Sequence, residues 1–163
     1  PGGRGLCAGV PGTADIVLGT FGKSLGLFGS FLLLPKGFAA FFESLSSAVM
    51  HSTAMPPAHA AAVLKLLERL PLLAAERARF FRARLCELGI PTRGTAHIVA
   101  VPTGGEARTT HLGEQLAERG VLALAARYPT VPYGDGLLRF GLTALHTQGM
   151  LERTARLLAD LWG

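Results

Sequence analysis

The segment from Asp15 to Pro35 constrains the fold more than any other. Two short apolar runs, Ile16-Val17-Leu18 and Phe31-Leu32-Leu33-Leu34, flank a stretch in which Gly19, Gly22, Gly26 and Gly29 recur, and Pro35 stops the second run. Apolar runs this short, bounded by turn residues, read as buried strands rather than helices. Strand, glycine loop, strand describes the edge of an α/β sheet. Two strands alone would leave apolar faces and backbone edges uncovered. Lys23 is the one lysine in the loop.

Beyond this segment the spacing changes to that of helices. Phe38, Phe41, Phe42, Leu45 and Val49 recur at helical intervals over Phe38 to Met50, and with Met50 and Met55 they read as core packing. His51 to Pro57 is a break, and Pro57 suits the first turn of a new helix. Ala58 to Leu88 reads as one long amphipathic helix, kinked or split at Pro71 and capped by Gly89. Its charged residues, among them Glu68, Arg69, Glu76, Arg77, Arg84 and Glu87, read as a solvated face. After Gly89 the pattern predicts a strand over 98–101, a helix over 106–119 ending at Gly120, strands over 121–125 and 137–142, and a closing helix over 150–162. That succession makes a compact α+β unit.

Composition narrows the function classes. With 49% hydrophobic residues over 163 positions, the chain is not intrinsically disordered. Its longest apolar run, Leu25 to Pro35, falls far short of the ~20 residues of a membrane-spanning helix. The net charge of +5 suggests nucleic acid, but 13 of the 16 basic residues are arginines scattered along the chain, and no nucleic-acid partner is expected. Cys7 and Cys86 make neither a metal-ligand spacing nor a disulfide framework, so a reduced, cytoplasmic setting is expected and no metal. The opening Pro1-Gly2-Gly3-Arg4-Gly5 is no signal peptide, and the absence of an initiator methionine suggests a processed chain or a piece of something longer.

The chemistry concentrates at Thr20-Phe21-Gly22-Lys23-Ser24. Gly-Lys-Ser invites a phosphate-binding P-loop, but the glycine that motif needs further upstream is here Val17, and the loop leads into a strand instead of a helix. A lone lysine in a glycine-rich turn suits imine chemistry, with small neighbours leaving room for a flat cofactor. Thr20 can offer its hydroxyl to a phosphate. An exposed loop lysine beside a structural threonine fits the spacing as well.

Thr20-Phe21-Gly22-Lys23, then His51-Ser52-Thr53-Ala54-Met55-Pro56-Pro57-Ala58, then Tyr128-Pro129-Thr130-Val131-Pro132 and Leu138-Arg139-Phe140-Gly141-Leu142-Thr143-Ala144-Leu145-His146 are three ordered motifs. Together they resemble the α-oxoamine synthases, fold-type-I enzymes dependent on pyridoxal 5'-phosphate. Gly3-Arg4-Gly5 is similar to a stretch these enzymes carry shortly before the lysine. Of the family's branches, the one making 8-amino-7-oxononanoate, in biotin biosynthesis, looks most similar. The implied fold class is α/β, the C-terminal part of a fold-type-I transferase. Residues 1–56 would be the end of the large cofactor-binding domain, 57–88 a linking helix and 89–163 a complete small α+β domain.

The resemblance implies a role at each matching position. Lys23 stands where the family's lysine holds the cofactor in imine linkage and moves protons at the amino acid's Cα. Thr20 matches a threonine near the cofactor phosphate. Ser52 and Thr53 match hydroxyls that reach the phosphate in the neighbouring subunit, which implies a homodimer. Thr130 matches a substrate-contacting threonine, and Arg139 the arginine that forks onto the amino acid carboxylate. Arg127 is a second, structural or substrate-binding candidate, Thr53 can instead satisfy backbone groups before the prolines, and His146 is given no role. Within its apolar strand Arg139 reads as inward-pointing and in need of a partner.

The implied reaction condenses a small amino acid with an acyl thioester, with loss of carbon dioxide. The family's ring-stacking residue and the aspartate that pairs with the pyridine nitrogen lie before the lysine, and residues 1–22 hold no such segment; Asp15 is too close. The chain therefore reads as the C-terminal half of a synthase whose N-terminal half is a required partner. The alternative is a catalytically incomplete fragment or pseudo-subunit that acts as a dimerisation scaffold.

Overall fold

A computed structural model describes residues 7, 10, 12–23, 25–68 and 72–163, with 72–74 described by their backbone. The chain divides into two units, Pro1–Leu70 and Pro71–Gly163. Gly3-Arg4-Gly5, Ser24, Arg69 and the Pro71 break lie outside the described residues.

In the first unit β1 (Val17–Thr20) and β2 (Ser30–Leu33) pair antiparallel, with Val17 opposite Leu33 and Thr20 opposite Ser30. Three helices follow: α1 (Phe38–Leu45), α2 (Ser47–Met50) and α3 (Pro57–Glu68). The helix expected over 38–50 is broken at Ser46, whose extended backbone interrupts the turn while its N–H still donates to the Phe42 carbonyl at 2.9 Å. Pro57 opens α3 as its position predicts.

Burial corrects two expectations. The strands form, but Leu18 is 74% exposed and every residue of β2 is exposed. Phe38, Phe41 and Met50 are likewise more than half exposed, and neither α1 nor α2 buries a side chain. Periodicity identifies the face that would gain from burial; it does not supply what covers that face. Among the described residues of this unit, two strands and short helices leave those faces without a second layer. The buried side chains among them are Phe21, packed on Phe31 at 5.4 Å between ring centroids, and Val63 of α3. Gly19 permits that packing: a Cβ there would collide with the Phe31 ring.

The second unit contains α4 (Leu72–Glu87), β3 (Ile98–Gly104), α5 (Glu106–Glu118), β4 (Leu124–Ala126), β5 (Gly136–Gly141) and α6 (Gln148–Trp162). The sheet runs β3-β5-β4, antiparallel throughout. Alternation sends Val99, Val101, Leu138 and Phe140 to one face, where they meet Phe81 and Leu85, Leu112 and Leu116, and Leu151 and Leu158 from the three helices. Phe81 meets Phe140 edge-on at 5.3 Å. Burying a side chain of this kind contributes about 1.5–3 kcal/mol.

Local signals close the helices as expected. Gly89, at φ +75°, ends α4 while Ile90 N–H donates back to the Leu85 carbonyl at 2.9 Å. Gly120, at φ +78°, does the same for α5, with Val121 N–H on the Leu116 carbonyl at 2.9 Å. That bond keeps Val121 in the turn, so β4 starts at Leu124 and not at 121. Thr147 caps α6, its hydroxyl accepting from Met150 N–H.

The solvated face expected along this stretch holds at Glu68, Glu76 and Glu87, which are exposed, and is corrected at Arg77 and Arg84. Arg84 is only 27% exposed at its side chain, donates to both Glu152 oxygens at 3.0 and 2.8 Å and to Glu87 at 2.6 Å, and so ties α4 to α6. Arg77 has its Nε buried, with no hydrogen-bond partner among the described residues.

Candidate functional site

Lys23 lies at the tip of the loop that joins β1 to β2, and its side chain is exposed. The loop is closed from within. Phe21 N–H donates to the Gly29 carbonyl at 2.9 Å, Leu27 N–H to the Phe21 carbonyl at 3.0 Å, and Gly26 N–H to the Lys23 carbonyl at 3.2 Å. Phe21, only 7% exposed, anchors this knot. Gly26 has φ +63°, which favours glycine at this turn, and a Cβ there would meet nothing within 4 Å. The Thr20 hydroxyl sits in the same knot, 3.3 Å from the Gly29 carbonyl and 3.3 Å from the Gly22 N–H that donates to it.

Ser52 and Thr53 occupy the loop between α2 and α3, in the same unit. Ser52 turns its hydroxyl back to the Val49 carbonyl at 2.9 Å. Thr53 is exposed, and its hydroxyl has no hydrogen-bond partner among the described residues.

The remaining candidates belong to the second unit. Arg139 does not point inward. Leu138 and Phe140 on either side of it are buried against the helices, so strand alternation turns Arg139 to the opposite face, where it is exposed. Its cross-strand neighbours are Ala100 and Leu124, and no hydrogen bond or ion pair engages its guanidinium among the described residues. Arg127 follows the other end of β4, and its carbonyl organises the next turn by accepting from Thr130 N–H at 2.9 Å and Val131 N–H at 3.3 Å. The side chains of Arg127 and Thr130 are exposed. The Glu106 carboxylate, at the start of α5, accepts from Gly134 N–H at 2.9 Å and pins the far end of the turn. His146 accepts from Thr143 N–H at 3.0 Å through Nδ1.

Two contacts escaped sequence reasoning. His59, in the first turns of α3, stacks on Phe28 at 3.8 Å between centroids and places Nε2 2.8 Å from the Phe28 carbonyl. Met55 reaches the same corner: a Cβ on Gly29 would lie 3.0 Å from its Cε. The positions are 31 apart in sequence, so no local spacing signalled the pairing. One hollow in each unit, of about 640 and 190 Å3, has neither Lys23 nor Arg139 in its lining. Thr20, Lys23, Thr53, Arg127, Thr130 and Arg139 are all exposed. No described helix is long and apolar enough to cross a membrane.

Residues 4–158 match the family model for aminotransferase class I and II. The chain is 38% identical over 154 residues to a putative 8-amino-7-oxononanoate synthase of Magnetococcus marinus, covering 90% of this chain and 39% of that protein. It is 36% identical over 167 residues to the 8-amino-7-oxononanoate synthase of Gluconacetobacter diazotrophicus, covering 98% of this chain and 42% of the relative. A solved structure of SPT with its PLP internal aldimine superposes with a TM-score of 0.81 at 26% identity, over 99% of this chain and 43% of that one. The chain thus spans about two-fifths of the length of the curated relatives it matches. The fold is that of the C-terminal portion of a fold-type-I transferase. The chain belongs to the aminotransferase class I and II family.

Proposed function

We propose that this chain contributes the lysine and the carboxylate clamp of an α-oxoamine synthase most similar to 8-amino-7-oxononanoate synthase, condensing a small amino acid with an acyl thioester with loss of carbon dioxide and the thiol. The family's cofactor is pyridoxal 5'-phosphate. The observation that carries the reading is Lys23, exposed on a loop knotted around Phe21. An exposed amine held on a closed loop fits that cofactor. When bound, it supplies an electron sink for charge at the amino acid's Cα.

On this reading Lys23 Nζ holds the cofactor and then carries a proton to or from Cα. The Thr20 hydroxyl, now 3.3 Å from the Gly29 carbonyl, would hold the cofactor phosphate. Thr53, with Ser52, serves the phosphate site of a neighbouring subunit in a homodimer. Arg139 donates two parallel N–H bonds to the amino acid carboxylate, a reading supported by its having no partner among the described residues. Thr130 and Arg127 contact substrate from the turn after β4. Residues 1–56 then act as the end of a large domain, 57–88 as the link and 89–163 as the small domain. A segment equivalent to the rest of the relatives' length completes the ring-binding groups.

The test is borohydride reduction of the protein with pyridoxal 5'-phosphate, followed by peptide mapping. The label is expected on Lys23 in preference to Lys36 and Lys65, the other two lysines. Equal labelling of all three overturns the proposal.

A further inference from the structure

We infer that His59 is a positioning residue for Lys23, an inference that rests on the role proposed for that lysine. Phe28 lies between the two residues that knot the loop: Leu27, which donates to the Phe21 carbonyl, and Gly29, whose carbonyl receives Phe21 N–H and the Thr20 hydroxyl. Whatever holds Phe28 holds both halves of the knot. Phe28 is itself 62% exposed, so burial does not hold it.

His59 does so by two contacts. A carbonyl can only accept, so the proton of the 2.8 Å contact belongs to His59 Nε2. The imidazole also lies on the Phe28 ring at 3.8 Å with 26° between planes. Met55 stands close by the adjoining Gly29, whose φ of +93° favours glycine: a Cβ there would lie 3.0 Å from Met55 Cε. His59 and Met55 both belong to the stretch that follows Ser52 and Thr53. Met55, at the end of that loop, and His59, in the first turn of α3, therefore couple the Ser52–Thr53 loop to the lysine loop, and the two motifs keep a common frame.

The experiment compares wild type, His59→Leu and His59→Gln in the full protein, by two readouts. The first is amide hydrogen exchange at Phe21 and Leu27 without cofactor. His59→Leu removes donor and stack and is expected to speed exchange at both amides at least about tenfold, the factor expected for loss of a net ~1.4 kcal/mol. His59→Gln can still donate to the Phe28 carbonyl and is expected to recover most of the protection. The second is the share of borohydride-fixed label on Lys23 against Lys36 and Lys65, which should fall in His59→Leu and recover in His59→Gln. A merely structural histidine would leave that distribution unchanged. If His59→Leu fails to fold, His59→Phe, which keeps a stacking ring without the donor, takes its place with the same expectation of faster exchange. Unchanged exchange and labelling in the donor-free variant overturns this inference alone. A wild-type protein that labels all three lysines equally overturns the lysine reading and with it the role of His59, while the exchange data still report the anchor.

Discussion

The Thr103 hydroxyl lies 2.6 Å from that of Thr109 in the buried part of the second unit, and 2.9 Å from the Gly136 carbonyl. Thr109 also reaches the Gly105 carbonyl at 3.0 Å. Two hydroxyl protons serve three contacts, so one contact is without a proton at any time: when one threonine donates to the other, only one of the two carbonyls is served. The cluster ties the end of β3 to the start of β5 and the first turn of α5. It is possible because Gly136 has no side chain: a Cβ there would strike the Thr109 hydroxyl and lie 2.6 Å from the Gly104 carbonyl.

Gly136→Ala is therefore expected to destabilise the protein by about 1–3 kcal/mol, the usual cost of overpacking. Adding Thr109→Ala should recover only part, because the Gly104 backbone still blocks the methyl group. Denaturant unfolding of the single and double variants measures both. Full recovery in the double variant would show that the hydroxyl alone sets the limit.

Burial separates two phenylalanines that look alike in sequence. Phe81 is fully buried beneath β5, and Phe81→Ala should cost about 3–5 kcal/mol. Phe41 is 57% exposed in its unit, and Phe41→Ser should change unfolding free energy by no more than about 0.5 kcal/mol in an isolated subunit. A large cost for Phe41→Ser in a monomeric sample would show that its unit covers α1 in solution.

Arg156 and then Arg84, hydrogen-bonded to the Glu152 carboxylate, hold it below the ordinary carboxylate range. A carboxyl lowered on folding contributes stability above its unfolded value of about 4.5, and that stability is lost as pH falls through the folded value. Arg84 is raised by Glu87 and Glu152, and its share is lost only at strongly alkaline pH. Glu152→Gln should accordingly lower Tm by a constant amount at neutral pH, with the difference shrinking in acid. A gap of equal size at pH 3 and pH 7 would contradict the pairing.

Arg139 is exposed and unpaired among the described residues, so Arg139→Ala should leave stability within about 0.5 kcal/mol. If it clamps the substrate carboxylate, its removal should weaken amino acid binding at least about tenfold, the effect of losing hydrogen bonds to a charged group. Arg139→Lys should restore charge but not the fork, recovering only part of the binding. Steady-state KM for the amino acid reads this; an unchanged KM in Arg139→Ala removes the clamp assignment.

Much of the local architecture was legible in the residues themselves. Gly89 and Gly120 announced the ends of α4 and α5 because few other residues accept a positive φ at a helix end. Pro57 announced the start of α3, and the alternation around Leu138 and Phe140 announced β5. The ordered motifs around Lys23, Thr53 and Arg139 were enough to point to the family before any contact was known. All of these are short-range signals, carried by φ preferences and by the two periodicities of helix and strand.

Tertiary structure decided the rest, because it concerns partners far apart along the chain. An arginine in an apolar strand can face either side, and only the helices stacked on Leu138 and Phe140 turn Arg139 outward. Helical spacing marked Phe38 and Phe41 for burial, yet burial requires an opposing layer that the described residues of their own unit do not provide. Arg84 looked like surface charge until Glu152, 68 positions later, came within hydrogen-bond reach. His59 looked like an ordinary helix residue until the fold laid it on Phe28. Sequence by itself determined the elements, their caps and the chemical groups on offer; the packing of distant segments determined which of those groups are free to act.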